Sequence, residues 1–320
     1  MKRFLLKFAL FILPILLGLF VLDYTVTQGL KKTRYEYFAE WNDIFEGRAN
    51  SDLIINGSSR AWVHISPKII EDKTNCSSYN LGMDGQTFYM QYYHYLTYEK
   101  YNKKPKYIIQ TLRESSLSKG ENLTNYEQFL PYLDEDIITS AALTYKGLSK
   151  WDGKIPFYRY VGEYNLIRVG ILEYFNVESF SNGKYKGYKG FDRPWNGAAL
   201  EQMKKSGRKA EIKFDADSVK LFESFLKYTR DSNIKLFLVI PPQYIESQSF
   251  ISNKEQVMNT YKDLAAKYKI PLLDYSDDPM SYKKEFFYNA MHLNKKGAEL
   301  FTEKLIKDMT DKYGFRPECK

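Results

Sequence analysis

The run Asp52-Leu53-Ile54-Ile55-Asn56-Gly57 places its apolar residues side by side, without the alternation of a half-exposed strand. A strand built this way is buried on both faces, which is the condition inside a parallel sheet covered by helices. The same pattern recurs at Pro105–Leu112 and Ile234–Ile240, and in shorter form at Ser78–Leu81 and Pro271–Asp274. Helical patterns lie between these strands: Ser59–Ile70 with an interruption at Pro67, Gln86–Tyr98, Asp217–Ser232, Lys254–Tyr268 and Lys295–Lys312. Strands alternating with helices predict an α/β chain, a three-layer α/β/α fold of flavodoxin-like type with a parallel sheet.

The alternation lapses between about residues 118 and 214. Only weak helical stretches appear there, at Asp134–Leu148 and Arg159–Tyr174, followed by a loop of glycine, lysine and aromatic residues from Gly183 to Phe191. This region reads as an insertion over the sheet. The expected organisation is an anchor and linker at 1–34, then a single domain over 35–320 carrying the insertion at about 118–214.

The anchor is the run from Phe4 to Leu22, interrupted only by Lys7, Pro14 and Gly18. As a helix it spans about 28 Å, close to the hydrocarbon core of a bilayer. The residues after it, Asp23-Tyr24-Thr25-Val26-Thr27-Gln28, hold no small-residue cleavage pattern, so an uncleaved signal-anchor is expected. Lys2, Arg3 and Lys7 before the run balance Lys31, Lys32 and Arg34 after it. The short basic tail favours an inside N-terminus, with the body of the protein outside the cytoplasm. A helix leaving the membrane is expected over Arg34–Phe45.

The formal net charge of +8 comes from scattered lysines rather than an arginine-rich stripe, which excludes a nucleic-acid role. Cys76 and Cys319 lie far apart without metal spacing, so neither a disulfide framework nor a zinc site is expected. Three histidines, His64, His94 and His292, leave few metal ligands. The 28 tyrosines accompany abundant Lys, Asn, Ile and Phe, as in proteins of AT-rich genomes, and they also suit sugar stacking.

Ligands of doubly wound sheets bind beyond the carboxyl ends of the strands. Ser58 and Ser59, Gly82–Gly85, Leu112–Glu114 and Pro241-Pro242-Gln243 all fall at such ends. A serine at a strand-to-helix elbow and a late histidine are the minimum for nucleophilic acyl chemistry. Taken singly, each feature has a plainer explanation. The Gly-Ser-Ser turn is a helix cap, Arg60 pairs with a surface acid, Arg113-Glu114 is an ion pair, and His64 and His94 are packing residues.

Taken in order, three stretches resemble the SGNH/GDSL hydrolase superfamily. Gly57-Ser58-Ser59-Arg60 matches its first block, with Ser59 in the nucleophile position. Asn80-Leu81-Gly82-Met83-Asp84-Gly85 looks like the second, whose last glycine supplies an oxyanion N–H. Asn289-x-x-His292-Leu293-Asn294, with Gly297-Ala298 behind it, looks like the last. The resemblance covers roughly 48–114 and 215–312. It is strongest to membrane-anchored members that modify cell-surface polymers, such as the D-alanyl transfer protein and alginate O-acetylation proteins.

The resemblance implies a serine esterase or O-acyltransferase acting on an acylated cell-envelope polysaccharide. Ser59, His292 and Asn289 would be catalytic, Ser59 and Gly85 would bind the oxyanion, and Arg60 and Arg113 would bind substrate. No cofactor and no metal is implied, and a membrane-bound acyltransferase would be the partner. Two departures favour an alternative, a catalytically reduced accessory or binding protein of polysaccharide assembly. Asn289 stands where the family has an acid, and Thr111-Leu112-Arg113-Glu114 replaces the third block's oxyanion Asn. Asp274, Asp277 and Asp278 are candidates for a substitute acid.

Overall fold

A computed structural model describes residues 1–317 and 319. Its elements run α1 Lys2–Leu30, α2 Phe38–Phe45, β1 Leu53–Asn56, α3 Ser59–His64, α4 Pro67–Thr74, β2 Ser78–Asn80, α5 Phe88–Tyr101 and β3 Tyr107–Thr111. Then come α6 Asp136–Ala142, α7 Tyr164–Tyr174, α8 Ala198–Ser206, α9 Ala216–Asp231, β4 Lys235–Ile240, α10 Ile245–Gln248 and α11 Lys254–Tyr268. The chain closes with β5 Leu272–Asp274, β6 Phe287–Asn289, β7 His292–Leu293 and α12 Lys295–Tyr313. It divides into two compact units, residues 1–46 with 120–182 and residues 47–119 with 183–320. The stretch expected as one insertion at 118–214 is therefore shared between them.

The second unit holds a five-stranded parallel sheet in the order β2-β1-β3-β4-β5, the doubly wound order anticipated from the alternation. Successive side chains of a strand point to opposite faces. Leu53, Ile55, Ile109, Phe237 and Val239 share one core with Ala61, Ile70, Phe301 and Leu305 of α3, α4 and α12. On the other face α5 meets α9 through Phe88 and Phe222, whose ring centroids are 4.8 Å apart. Phe301, Leu305 and Met309 of α12 are fully buried. Their burial stabilises the unit by about 2 kcal/mol each.

The helix expected over Ser59–Ile70 is two helices. A proline in a helix interior clashes with the preceding turn, and the residue before it is driven to extended dihedrals. Ser66 accordingly sits at φ −89°, ψ 115°, and α4 restarts with Pro67 in its first turn.

The first unit is built on α1. Its stretch from Phe4 to Val21 is largely exposed and apolar, while Thr25, Val26, Thr27, Gly29 and Leu30 are buried. The helix thus runs on through residues expected to be linker. A Cβ on Gly29 would lie 1.7 Å from the Gly170 carbonyl oxygen, so only glycine permits this approach of α1 to α7. Asp23, which ends the apolar run, accepts from Arg159 Nε at 3.0 Å and from Phe157 N at 3.1 Å. The next helix begins at Phe38 rather than Arg34, after Arg34 has paired with Asp43.

One expectation about the cysteines is corrected. Cys76 and Cys319 form a disulfide across 243 residues, with Cα atoms 4.9 Å apart. Cys76 lies just before β2, and Phe315 packs on Tyr107 and Phe237 near the starts of β3 and β4. Parallel strands bring their starts to one edge, and the tail leaving α12 returns to that edge.

Candidate active site

The site lies within the second unit, at the carboxyl ends of the strands. Gly57 carries the chain out of β1 at φ +148°, and a Cβ there would come within 1.9 Å of Thr111 Oγ1. Ser58 is extended, at φ −88° and ψ −160°, and Ser59 is the first residue of α3. The first-turn N–H groups of a helix have no helical acceptor, so those at Ser59 are available to a ligand oxygen. The following turn is tied to this elbow by Met83 N donating to Gly57 O at 2.9 Å. Gln86 N donates to Met83 O at 3.3 Å, which closes a four-residue turn with Gly85 in third position at φ +71°. A type II turn needs positive φ there, which explains the glycine.

The histidine arrives on a hairpin. Residues β6 and β7 pair antiparallel with Asn289 directly opposite His292, so the x-x between them is a tight turn. Asn289 Oδ1 accepts from Met291 N and His292 N, both at 2.9 Å, and lies 3.2 Å from His292 Nδ1. The hairpin is held from behind. His64 Nε2 accepts from Leu293 N at 3.0 Å, and Asn294 caps α12 by accepting from Gly297 N at 2.9 Å. His292 Nε2 stands 2.8 Å from Ser59 Oγ.

These contacts assign the protons. Two backbone N–H groups point at one end of the Asn289 amide, and only its oxygen accepts them. The atom beside Nδ1 is therefore an acceptor, and Nδ1 carries the ring proton. Nε2 is left with a free lone pair and accepts from the Ser59 hydroxyl. This is the tautomer required of a general base. The ring nitrogens of His292 meet Ser59 and Asn289, and the three candidate substitute acids bond elsewhere. Asp274 accepts from Ser276 N, Asp278 from Met280 N, and Asp277 from the Tyr282 hydroxyl.

The electrostatics are unusual for a histidine base. Burial, and then the nearby guanidiniums of Arg60 and Arg113, push His292 down to about 3. Arg60 is buried, donates to Gln243 Oε1, and lies 3.5 Å from Glu114 Oε2. Arg113, at the end of β3, also feels Arg60, Glu114 and Asp84. The two expected substrate-binding arginines thus flank the expected base. Gly85 belongs to the turn fastened to the serine elbow.

Three contributors escaped the sequence reading. His64 was expected only to pack, yet it holds the hairpin; its five-residue distance from Ser59 gave no signal of that. Gln243 was recognisable only as a strand-end residue. Tyr288 stacks on the His292 ring at 5.5 Å between centroids and 7° between planes, and Phe191 stands 5.6 Å from Tyr288. Arg193, Trp195, Tyr288 and Asn289 line an open groove of about 780 Å³, and Asn196 N donates to Tyr288 O at 2.8 Å. Another hollow, of about 270 Å³ at Lys235, Ile270 and Phe315, is lined by no serine, cysteine or histidine.

No protein-family model matches the chain, and no curated protein matches it. Among solved structures it is similar to a protein assigned to the lipolytic G-D-S-L family from Desulfitobacterium hafniense DCB-2. The identity is 12%, covering 81% of this chain and 99% of that one, with a TM-score of 0.40. It is also similar to a protein described as an acylhydrolase from Bacteroides fragilis NCTC 9343, at 12% identity over 80% and 86% of the two chains and a TM-score of 0.37. A protein described as a platelet activating factor from Streptococcus pneumonia gives 12% identity over 94% and 97%, with a TM-score of 0.41. Likenesses this distant leave the functional reading to the chain's own residues.

Proposed function

We propose that the chain is a membrane-tethered serine esterase or O-acyltransferase acting on an acylated cell-envelope polysaccharide. The observation that carries this reading is the hydrogen-bonded series from Ser59 through His292 to Asn289, with the ring tautomer it imposes. Ser59 Oγ attacks the acyl carbonyl while His292 Nε2 takes its proton. The N–H groups of Ser59 and Gly85 receive the developing oxyanion. When the intermediate collapses, the ester C–O bond breaks and His292 returns the proton to the leaving alcohol. Water, or a polymer hydroxyl, then attacks the acyl-serine with His292 again as base, giving the acid or a new ester.

Several features support the setting. The groove beside Asn289 is walled by Trp195 and Tyr288, faces on which sugar rings stack. The exposed apolar stretch of α1 is long enough to span a bilayer. Trp151, Tyr158, Tyr164 and Phe175 of the same unit are exposed, as aromatic residues at a membrane interface are. The disulfide suits a compartment outside the cytoplasm. In this reading a membrane-bound acyltransferase supplies the acyl group. The accessory-protein alternative draws on Asn289, but the amide oxygen provides the orientation that an acid would.

The test is acetate release from O-acetylated glycans by the full chain in detergent. Release that falls roughly 10³-fold or more in Ser59→Ala supports the reading. Release unchanged by that substitution, or absent from the folded wild type, refutes it.

A further inference from the structure

Arg60 and Arg113 leave unmet guanidinium N–H groups beside the base. The Arg60 side chain is 2% exposed, and its Nη2 serves both Gln243 and Glu114. Its Nη1 is buried and has no hydrogen-bond partner among the described residues. Arg113 Nε is in the same condition. Glu114 lies 3.5 Å from Arg60, and Glu114 and Asp84 both act on Arg113, but neither carboxylate meets these two N–H groups, and the two guanidiniums repel each other. A buried guanidinium with an unmet N–H is costly unless a ligand satisfies it.

We propose that Arg60 and Arg113 form a receptor for a carboxylate carried by the ester substrate. The inference rests on the esterase reading and names the substrate class of that site. The planar forks of two guanidiniums match a carboxylate, and Gln243 and Glu114 hold the Arg60 fork in place. The receptor also acts on the base. Burial, and then both guanidiniums, hold His292 low, so an anion bound between them offsets the guanidinium share and raises its basicity when substrate is present. A neutral ester leaves both guanidinium charges acting on the ring, and a charged one offsets them.

The carboxylate belongs either to the acyl group or to the alcohol, and paired esters separate the two. Monomethyl and dimethyl succinate probe the acyl side; 4-acetoxybenzoate and its methyl ester probe the alcohol side. The full chain is expected to prefer the charged member of one pair by roughly 10- to 100-fold in kcat/KM, the scale of a charge-assisted hydrogen bond. In Arg113→Gln that ratio should collapse toward one. Ratios near one in the wild type, or a ratio that Arg113→Gln leaves intact because both esters slow equally, overturn the receptor. A turnover-independent measurement separates its failure from that of the esterase reading. Succinate should raise the melting temperature of the wild type and not of Arg113→Gln, even if no ester is cleaved. Absence of that rise in the folded wild type also counts against the receptor.

Discussion

At the scale of single residues, Asn289 is a good orienter and a poor charge partner. In the serine-protease example of acid-to-amide replacement, the rate falls about 10⁴-fold because the histidine takes the wrong tautomer. Here Met291 N and His292 N lock the amide with its oxygen toward the ring, so that part of the loss does not arise. What is missing is the negative charge facing the imidazolium. Asn289→Asp keeps both backbone hydrogen bonds and adds that charge. It should raise kcat/KM by about tenfold, the difference between a neutral and a charge-assisted hydrogen bond. Asn289→Leu removes the acceptor and should lower kcat/KM by at least as much. Ester-hydrolysis kinetics of the two variants check both directions; an unchanged rate in each would show that Asn289 does not orient the ring. Ser59 and His292, which the fold brings to 2.8 Å, could be singled out in the sequence because the motif around each is local. The sequence could not reveal that the Asn289 amide turns its oxygen toward the ring, since that depends on the fold of four residues around one oxygen.

At the scale of elements, α1 joins an exposed apolar stretch long enough to span a bilayer to a buried, structural end. Val26 and Leu30 are fully buried, and Asp23 holds Arg159 and Phe157. Removing residues 1–34 therefore removes core from the first unit, whereas removing 1–22 removes only exposed apolar surface. The longer deletion should cost about 3 kcal/mol or more relative to the shorter, by loss of two buried aliphatic side chains. Comparison of urea midpoints for the two truncations measures this, and equal midpoints would show that the buried turn contributes nothing. Periodicity identified the apolar run but not its buried extension, because Thr25–Leu30 is ordinary in composition and its partner α7 lies far away in sequence. The sheet strands were easier to read: continuous apolar runs ending in glycine or proline have few other uses. The hairpin carrying His292 has no such pattern, because its strands are only three and two residues long.

At the scale of the molecule, the disulfide and the buried histidines set the conditions under which the fold persists. The Cys76–Cys319 bond closes a very long loop, and its loss should destabilise the chain by roughly 2–4 kcal/mol. A lower melting temperature under reductant, matched by Cys319→Ser without reductant, is the expected outcome. That bond was invisible in the sequence because two distant cysteines carry no pairing information until the strand starts are gathered at one edge. Burial leads the depression of both His94 and His292, from an ordinary 6.5 to about 3. The folded state thus excludes protons that the unfolded chain binds. The stabilisation is complete above pH 6.5 and declines as pH falls toward 3, by about 1.4 kcal/mol per unit for each histidine. Urea midpoints should accordingly fall between pH 7.5 and 5. Activation of Ser59 as a nucleophile is read out by covalent labelling with a fluorophosphonate. In the full chain in detergent, Ser59 Oγ should displace fluoride and carry the phosphonyl group, as located by peptide mass spectrometry. The adduct should be absent from Ser59→Ala and slow to form in His292→Ala. A folded wild-type chain that stays unlabelled, or carries the label elsewhere, would show that Ser59 is not an activated nucleophile.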